Sequence, residues 1–216
     1  MKIRLCSFLI LALLLCVLST AGAETSYDTL RQQTGVPAPH LEGWLEIPGA
    51  GYVQPIMRHP QDDSFYAGRD AKAREASGGS LYVQPTYNAS GFADPVTLVY
   101  GSSANENAPF AELQKTFSGS FETCRTLLVH TRDGTSEYRV FAALPYASTH
   151  ILHYYDFTVA RRYKTFFDSV FSTRALGMHL DEAERPTPKD KVLILSTSVR
   201  GDKTQRYLVM AKLVTP

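Results

Sequence analysis

Apolar positions fall into three patterns along the chain. Leu5 to Leu18 is an almost unbroken apolar run behind Lys2 and Arg4, and Ala21-Gly22-Ala23 follows it. From about residue 41 onward, short apolar or alternating runs recur, set off by Gly, Pro, Asn and Asp. They predict strands around Trp44–Ile47, Pro55–Met57, "SLYVQPTY", "PVTLVYG", "RTLLVHT", "SEYRVFAAL", Lys191–Ser198 and Gln205–Val214. Pro55 is expected at a strand start, where its missing N–H is tolerated. Asp133-Gly134 marks a hairpin turn.

Helical spacing appears three times. Tyr27 and Leu30 within Glu24–Gln33 predict a short helix packing outside the main body, ended by Pro37 and Pro39. Phe110, Leu113 and Phe117 predict a helix over Pro109–Phe117. Phe157, Ala160, Lys164, Phe167 and Phe171 predict another over 157–171. Many short strands with helices in the connections make a mostly β protein of the α+β class, with a closed or nearly closed sheet.

The first 23 residues read as a secretory signal peptide, with an uncleaved membrane anchor as the alternative. The apolar run is short of the roughly 20 residues of a bilayer span. Bulky Leu15 before Cys16 argues against a lipoprotein site. Residues 24–216 then form a single domain, large enough for a real core, with 24–40 as its helical extension. Without Lys2 and Arg4, 20 basic residues stand against 21 acidic. Nothing in that balance calls for nucleic acid or an anionic membrane. Cys6 and Cys16 leave with the signal, so Cys124 has no partner for an internal disulfide. It reads as a buried small apolar residue, with a stray reactive thiol as the alternative.

Two strand ends carry the candidate chemistry. One is "LVYGSSANENAPF", where Ser102 follows Tyr100-Gly101. The other is "LILSTSVRGDKTQRYLVMAKLV", where Ser198 ends one strand and Arg206 lies near the start of the next. Antiparallel pairing would set Arg206 beside Ser198. By spacing alone, polar residues after strands are mostly turn formers.

These segments, taken in order with "GWLEIPG", "PIMRHPQDDSFY", "GGSLYV", "HYYDF" and the Phe-rich stretch after it, resemble the class B sortases over nearly the whole mature length. The resemblance implies a closed eight-stranded β-barrel, with an N-terminal helical part and a long helix between the sixth and seventh strands. It also implies a cysteine transpeptidase that cleaves a sorting signal after Thr through an acyl-enzyme, with a His as acid and base and an Arg at the oxyanion. On this pattern Ser102 stands at the His position and Ser198 at the Cys position, while Arg206 is retained. Ser196, Thr197 and Arg206 are the expected substrate-binding residues.

The two substitutions remove what the chemistry needs. A Ser hydroxyl is not ionised and requires an adjacent base, whereas a Cys is partly thiolate. Neither the Ser102 hydroxyl nor the Arg206 guanidinium can serve as that base. Losing nucleophile and base from such a site costs about six orders of magnitude, with roughly a thousandfold left from binding and oxyanion contacts. The resulting expectation is an exported pseudoenzyme that binds an extended peptide or cell-envelope partner. The alternatives are a hydrolase or acyltransferase using Ser198, and an interaction module with a closed groove. No cofactor or metal is expected.

Other reactive residues have ordinary readings. His130 lies within a strand. His150 and His153 could join Asp156 on a helix face, but a zinc site would lack its fourth ligand. Arg161, Arg162 and Lys164 form a solvated face. Asn88-Ala89-Ser90 matches a glycosylation acceptor, relevant only in a eukaryotic secretory route.

Overall fold

The computed structural model describes residues 25–119, 121–199 and 201–215. The expected signal segment lies outside the described residues. Nine strands form one sheet: β1 Leu41–Ile47, β2 Tyr52–Met57, β3 Leu81–Tyr82, β4 Val96–Tyr100, β5 Thr126–Thr131, β6 Gly134–Ala147, β7 His179–Leu180, β8 Val192–Val199 and β9 Asp202–Thr215. Their order is β5-β1-β2-β3-β4-β8-β9-β6-β7, and β5 pairs again with β6. That pairing closes an eight-stranded barrel and leaves β7 as a short flap on β6. The β2–β3 and β4–β8 pairs are parallel, and the others are antiparallel. Closure satisfies the sheet edges that an open sheet would expose.

Four helices accompany the barrel: α1 Tyr27–Thr34, α2 Leu113–Gly119, α3 Ile151–Tyr154 and α4 Ala160–Ser172. The connection bearing α4 joins the sixth and seventh barrel strands, as expected. Ser26 caps α1 by accepting from the Thr29 N–H at 3.3 Å, and Gly35 ends it in the left-handed region at φ 64°. Tyr27 and Leu30 then pack with Leu41, Trp44, Met57 and Tyr66 outside the barrel.

Strand alternation divides the core in two. Leu193, Leu195, Val209 and Ala211 point into the barrel with Val99, Phe110 and Phe117. Val192, Ile194, Leu208 and Met210 point outward, beneath α4. The buried face of α4 is Tyr163, Phe166, Phe167, Val170 and Phe171. This is turned from the expected face: Lys164 is exposed and pairs with Asp168 at 2.6 Å. Phe157 is buried although it precedes the helix, because its ring meets Phe166 at 5.2 Å. Arg161, Arg162 and Lys164 are solvent-facing.

Several expected boundaries shift. The hairpin loop is Arg132-Asp133, and Gly134 already pairs with Thr131 at φ 139°. Pro55 is the fourth residue of β2 rather than its first; β3 joins β2 only from Ile56 onward, so the missing donor falls outside that pairing. The "SLYVQPTY" strand shrinks to Leu81–Tyr82. The helix expected from Pro109 starts at Leu113, because the Phe110 N–H donates to the Ser102 carbonyl at 2.8 Å and holds residues 109–112 in turns. His150, His153 and Asp156 do not share one helix face. α3 is a single turn capped by His150, and Asp156 instead accepts from Thr158.

Candidate functional site

Ser198 and Arg206 are direct register partners on β8 and β9. Opposite residues of an antiparallel pair share a face, as do residues two apart. Ser196, Ser198 and Arg206 therefore lie together on the outer face, and Thr197 points the other way. Ser196 is 1% exposed and Thr197 is fully buried, while Ser198 is open to solvent. The structure thus brings Ser196 to Arg206 and leaves the expected substrate residue Thr197 inside the barrel. There the Thr197 hydroxyl, opposite Tyr207 in the register, finds no hydrogen-bond partner among the described residues, and neither does the Tyr207 hydroxyl.

Arg206 reaches diagonally across β8. Its Nε donates to Ser196 Oγ at 2.6 Å and its Nη2 to the Ser196 carbonyl at 3.2 Å. Its guanidinium carbon sits 5.4 Å from the Tyr100 ring centre, a cation–π contact. Tyr100 pairs with Ser196 across β4 and β8, and its ring stacks on Tyr82 at 5.5 Å. Burial draws the Arg206 pKa downward, partly countered by the neighbouring Tyr100 and Tyr82. The same burial raises both tyrosines, so they stay neutral near pH 7.

Ser102 follows β4 after Gly101. Its Oγ accepts from the Ala104 N–H at 3.1 Å, a local turn contact. Its neighbour Ser103 donates to the Ser198 carbonyl at 2.8 Å. That bond ties the loop carrying Ser102 to the end of β8, so the three expected positions gather at one end of the barrel. Gly101 permits this approach. A Cβ there would stand 2.3 Å from Phe110 Cδ2 and 2.6 Å from Leu81 Cδ2. Gly101→Ala is therefore expected to cost about 1–3 kcal/mol through overpacking, measured by urea unfolding. Unchanged stability would mean that the loop gives way freely.

Each of the six histidines makes a hydrogen bond with a residue other than Ser102, Ser198 or Arg206. His130 bonds Glu46 at 2.7 Å and Thr135 at 2.8 Å. His150 accepts from the His153 N–H, and the His153 ring lies 3.5 Å from the Tyr87 hydroxyl. His40 bonds Tyr66, His179 bonds the Ser118 carbonyl, and His59 caps the turn at Gln61 and Asp62. The His150 ring lies 6.5 Å from that of Tyr100. Cys124 is 4% exposed and packs in the barrel core, in keeping with its reading as a buried apolar residue. Among the described residues no cluster of His, Cys, Asp and Glu could hold a metal ion.

A cleft of about 500 Å³ is lined by Tyr52, Pro55, Arg74, Ala108, Phe110 and Leu113 among others, and not by Ser102, Ser198 or Arg206. Sequence reasoning missed Tyr82, Tyr100 and Ser103. All three occur within the segments that carried the resemblance. For Tyr100, alternation with Val99 along the strand was the available signal.

No protein-family model matches the chain. Sortase B of Listeria monocytogenes is 24% identical over 177 residues, covering 81% of this chain and 70% of that protein. Among solved structures, Clostridium perfringens sortase B superposes with a TM-score of 0.69 at 18% identity, covering 87% of this chain and 98% of that one. A Staphylococcus aureus sortase B–substrate complex gives 0.68 at 19%, covering 88% and 84%. At these identities the likeness is one of architecture: the chain has the sortase fold.

Proposed function

We propose that this protein is an exported, class B sortase-like pseudoenzyme that binds an extended peptide or a cell-envelope partner without cleaving it. The observation that carries this reading is the company kept by Ser198. It stands opposite Arg206 at the end of β8, yet each histidine makes its hydrogen bonds with other residues. A serine without a base is a poor nucleophile. The site itself keeps a guanidinium, two stacked tyrosines and the exposed Ser198 hydroxyl, which suit binding. One of the similar structures is a sortase B–substrate complex, which supports a peptide as the class of partner. Export follows from the reading of residues 1–23 as a signal segment, and the two proposals are independent.

The test is incubation with a library of class B sorting-signal peptides and an amine acceptor, read by mass spectrometry. Binding without cleavage is expected. Turnover that disappears in Ser198→Ala would overturn the pseudoenzyme reading.

A further inference from the structure

A guanidinium carries five N–H donors in a planar fork. Arg206 uses two of them, both on Ser196: Nε to the hydroxyl at 2.6 Å and Nη2 to the carbonyl at 3.2 Å. Nε and one Nη2 hydrogen form one edge of the fork. The other edge, Nη1 with the second Nη2 hydrogen, meets no acceptor among the described residues. Nor does any ion pair among the described residues include Arg206. Arg58, Arg125, Arg139 and Arg185 each reach a carboxylate.

Arg206 also differs from the arginines on α4. Arg161 and Arg162 are in water, whereas Arg206 is half-buried over Tyr100. Withdrawing a cation from water without an opposite charge is costly, and an anion arriving there recovers part of that cost. Around it stand further donors. The Ser198 hydroxyl is solvent-exposed and bonds nothing among the described residues. Ser102 Oγ accepts from the Ala104 N–H but donates to no described residue.

A two-edged fork with one edge free is the geometry that binds a carboxylate through two parallel hydrogen bonds. One guanidinium suits a singly charged anion. The Ser103 hydroxyl draws the 102–103 loop against the end of β8, beside Ser198. We infer that the Ser198–Arg206 site at the end of the two strands receives the terminal carboxylate of a peptide, held by the free edge of Arg206 and by the Ser198 and Ser102 hydroxyls. This rests on the peptide-binding reading above and adds that the bound chain ends at the site. A serine in place of an anionic nucleophile makes such a site stronger, because the hydroxyl donates and brings no negative charge.

The test uses the full chain on an array of extended hexapeptides tethered by their N-termini. Each sequence is printed as the free acid, as the C-terminal amide, and as an amide with an internal Asp. Bound peptides are then titrated in solution by fluorescence anisotropy. The free acids are expected to bind about tenfold to a hundredfold tighter than their amides, as charge-assisted hydrogen bonds allow. Arg206→Gln should erase that preference, and Arg206→Lys should retain part of it. The acid-to-amide ratio of the unaltered protein decides the matter even if a variant folds poorly. Equal binding of acids and amides would overturn the carboxylate inference and leave peptide binding standing. Equal binding of free acids and internal-Asp amides would overturn the chain-end assignment. No binding by any peptide would remove the peptide reading together with the inference.

Discussion

The double variant Ser102→His with Ser198→Cys is expected to cleave a sorting-signal peptide at least about a thousandfold faster than the unaltered protein. The ceiling is about six orders of magnitude, the loss when nucleophile and base are removed from comparable machinery. The expectation rests on placement. Ser198 is already opposite Arg206, and the Ser103–Ser198 bond already holds residue 102 beside the end of β8. A histidine at 102 could then withdraw the thiol proton, and the nearby guanidinium would favour thiolate. The variant thiol should also react with iodoacetamide below pH 7, faster than in Ser198→Cys alone. Cys124 gives little background in the native state because it is buried, and peptide mapping assigns the label. A folded double variant that neither labels nor cleaves would mean that the groove has lost its catalytic geometry as well as its residues.

Phe166→Ala should be among the most damaging single changes to stability. Phe166 has no exposed surface, and its ring meets Phe167 at 5.0 Å, Tyr155 at 5.1 Å, Phe157 at 5.2 Å and Tyr146 at 5.8 Å. Truncation loses burial and leaves a cavity among rings that can collapse only partly, at a cost of about 3–5 kcal/mol. For a domain of this size that lowers Tm by roughly 10 °C. The effect should extend to the site. Tyr146 is the register partner of Arg206 on β6, and its hydroxyl is tied to Ser169 of α4 at 2.8 Å. Leu176→Ala is the control, since Leu176 is 98% exposed and should change Tm very little. A Phe166 variant melting within a degree or two of the parent would mean that α4 is not part of the cooperative unit.

Local signals in the sequence were sound where neighbours in the chain are neighbours in space. The β5–β6 and β8–β9 hairpins follow from alternation and turn residues, and with β8–β9 came the Ser198–Arg206 pairing. A closed or nearly closed sheet was legible from the many short strands, but its eight strands only through the ordered resemblance, because β2–β3 and β4–β8 pair in parallel across long connections that leave no periodic trace. The start of α2 was hidden for a different reason. Its first turn is forestalled by the bond from the Phe110 N–H to the Ser102 carbonyl, which is tertiary in origin. Thr197 shows the limit of reading a motif as a block. In "STS", two serines face outward, and the residue between them belongs to the other side of the sheet. Tyr100 escaped notice because its part in the site depends on Arg206 folding back across β8.

The parallel pairing of β4 with β8 has a consequence for how the site comes into being. Val96 meets Val192 and Tyr100 meets Ser196, so the seam joins segments nearly a hundred residues apart. Hairpins close quickly, whereas such distant segments meet only after a large loss of chain entropy. The β8–β9 hairpin can set Ser198 against Arg206 early and alone. Tyr100, Ser102 and Ser103 arrive only when the seam shuts. The site is thus complete only once that seam has formed, and a nascent or partly opened chain would present the arginine without the Tyr100 ring that flanks it.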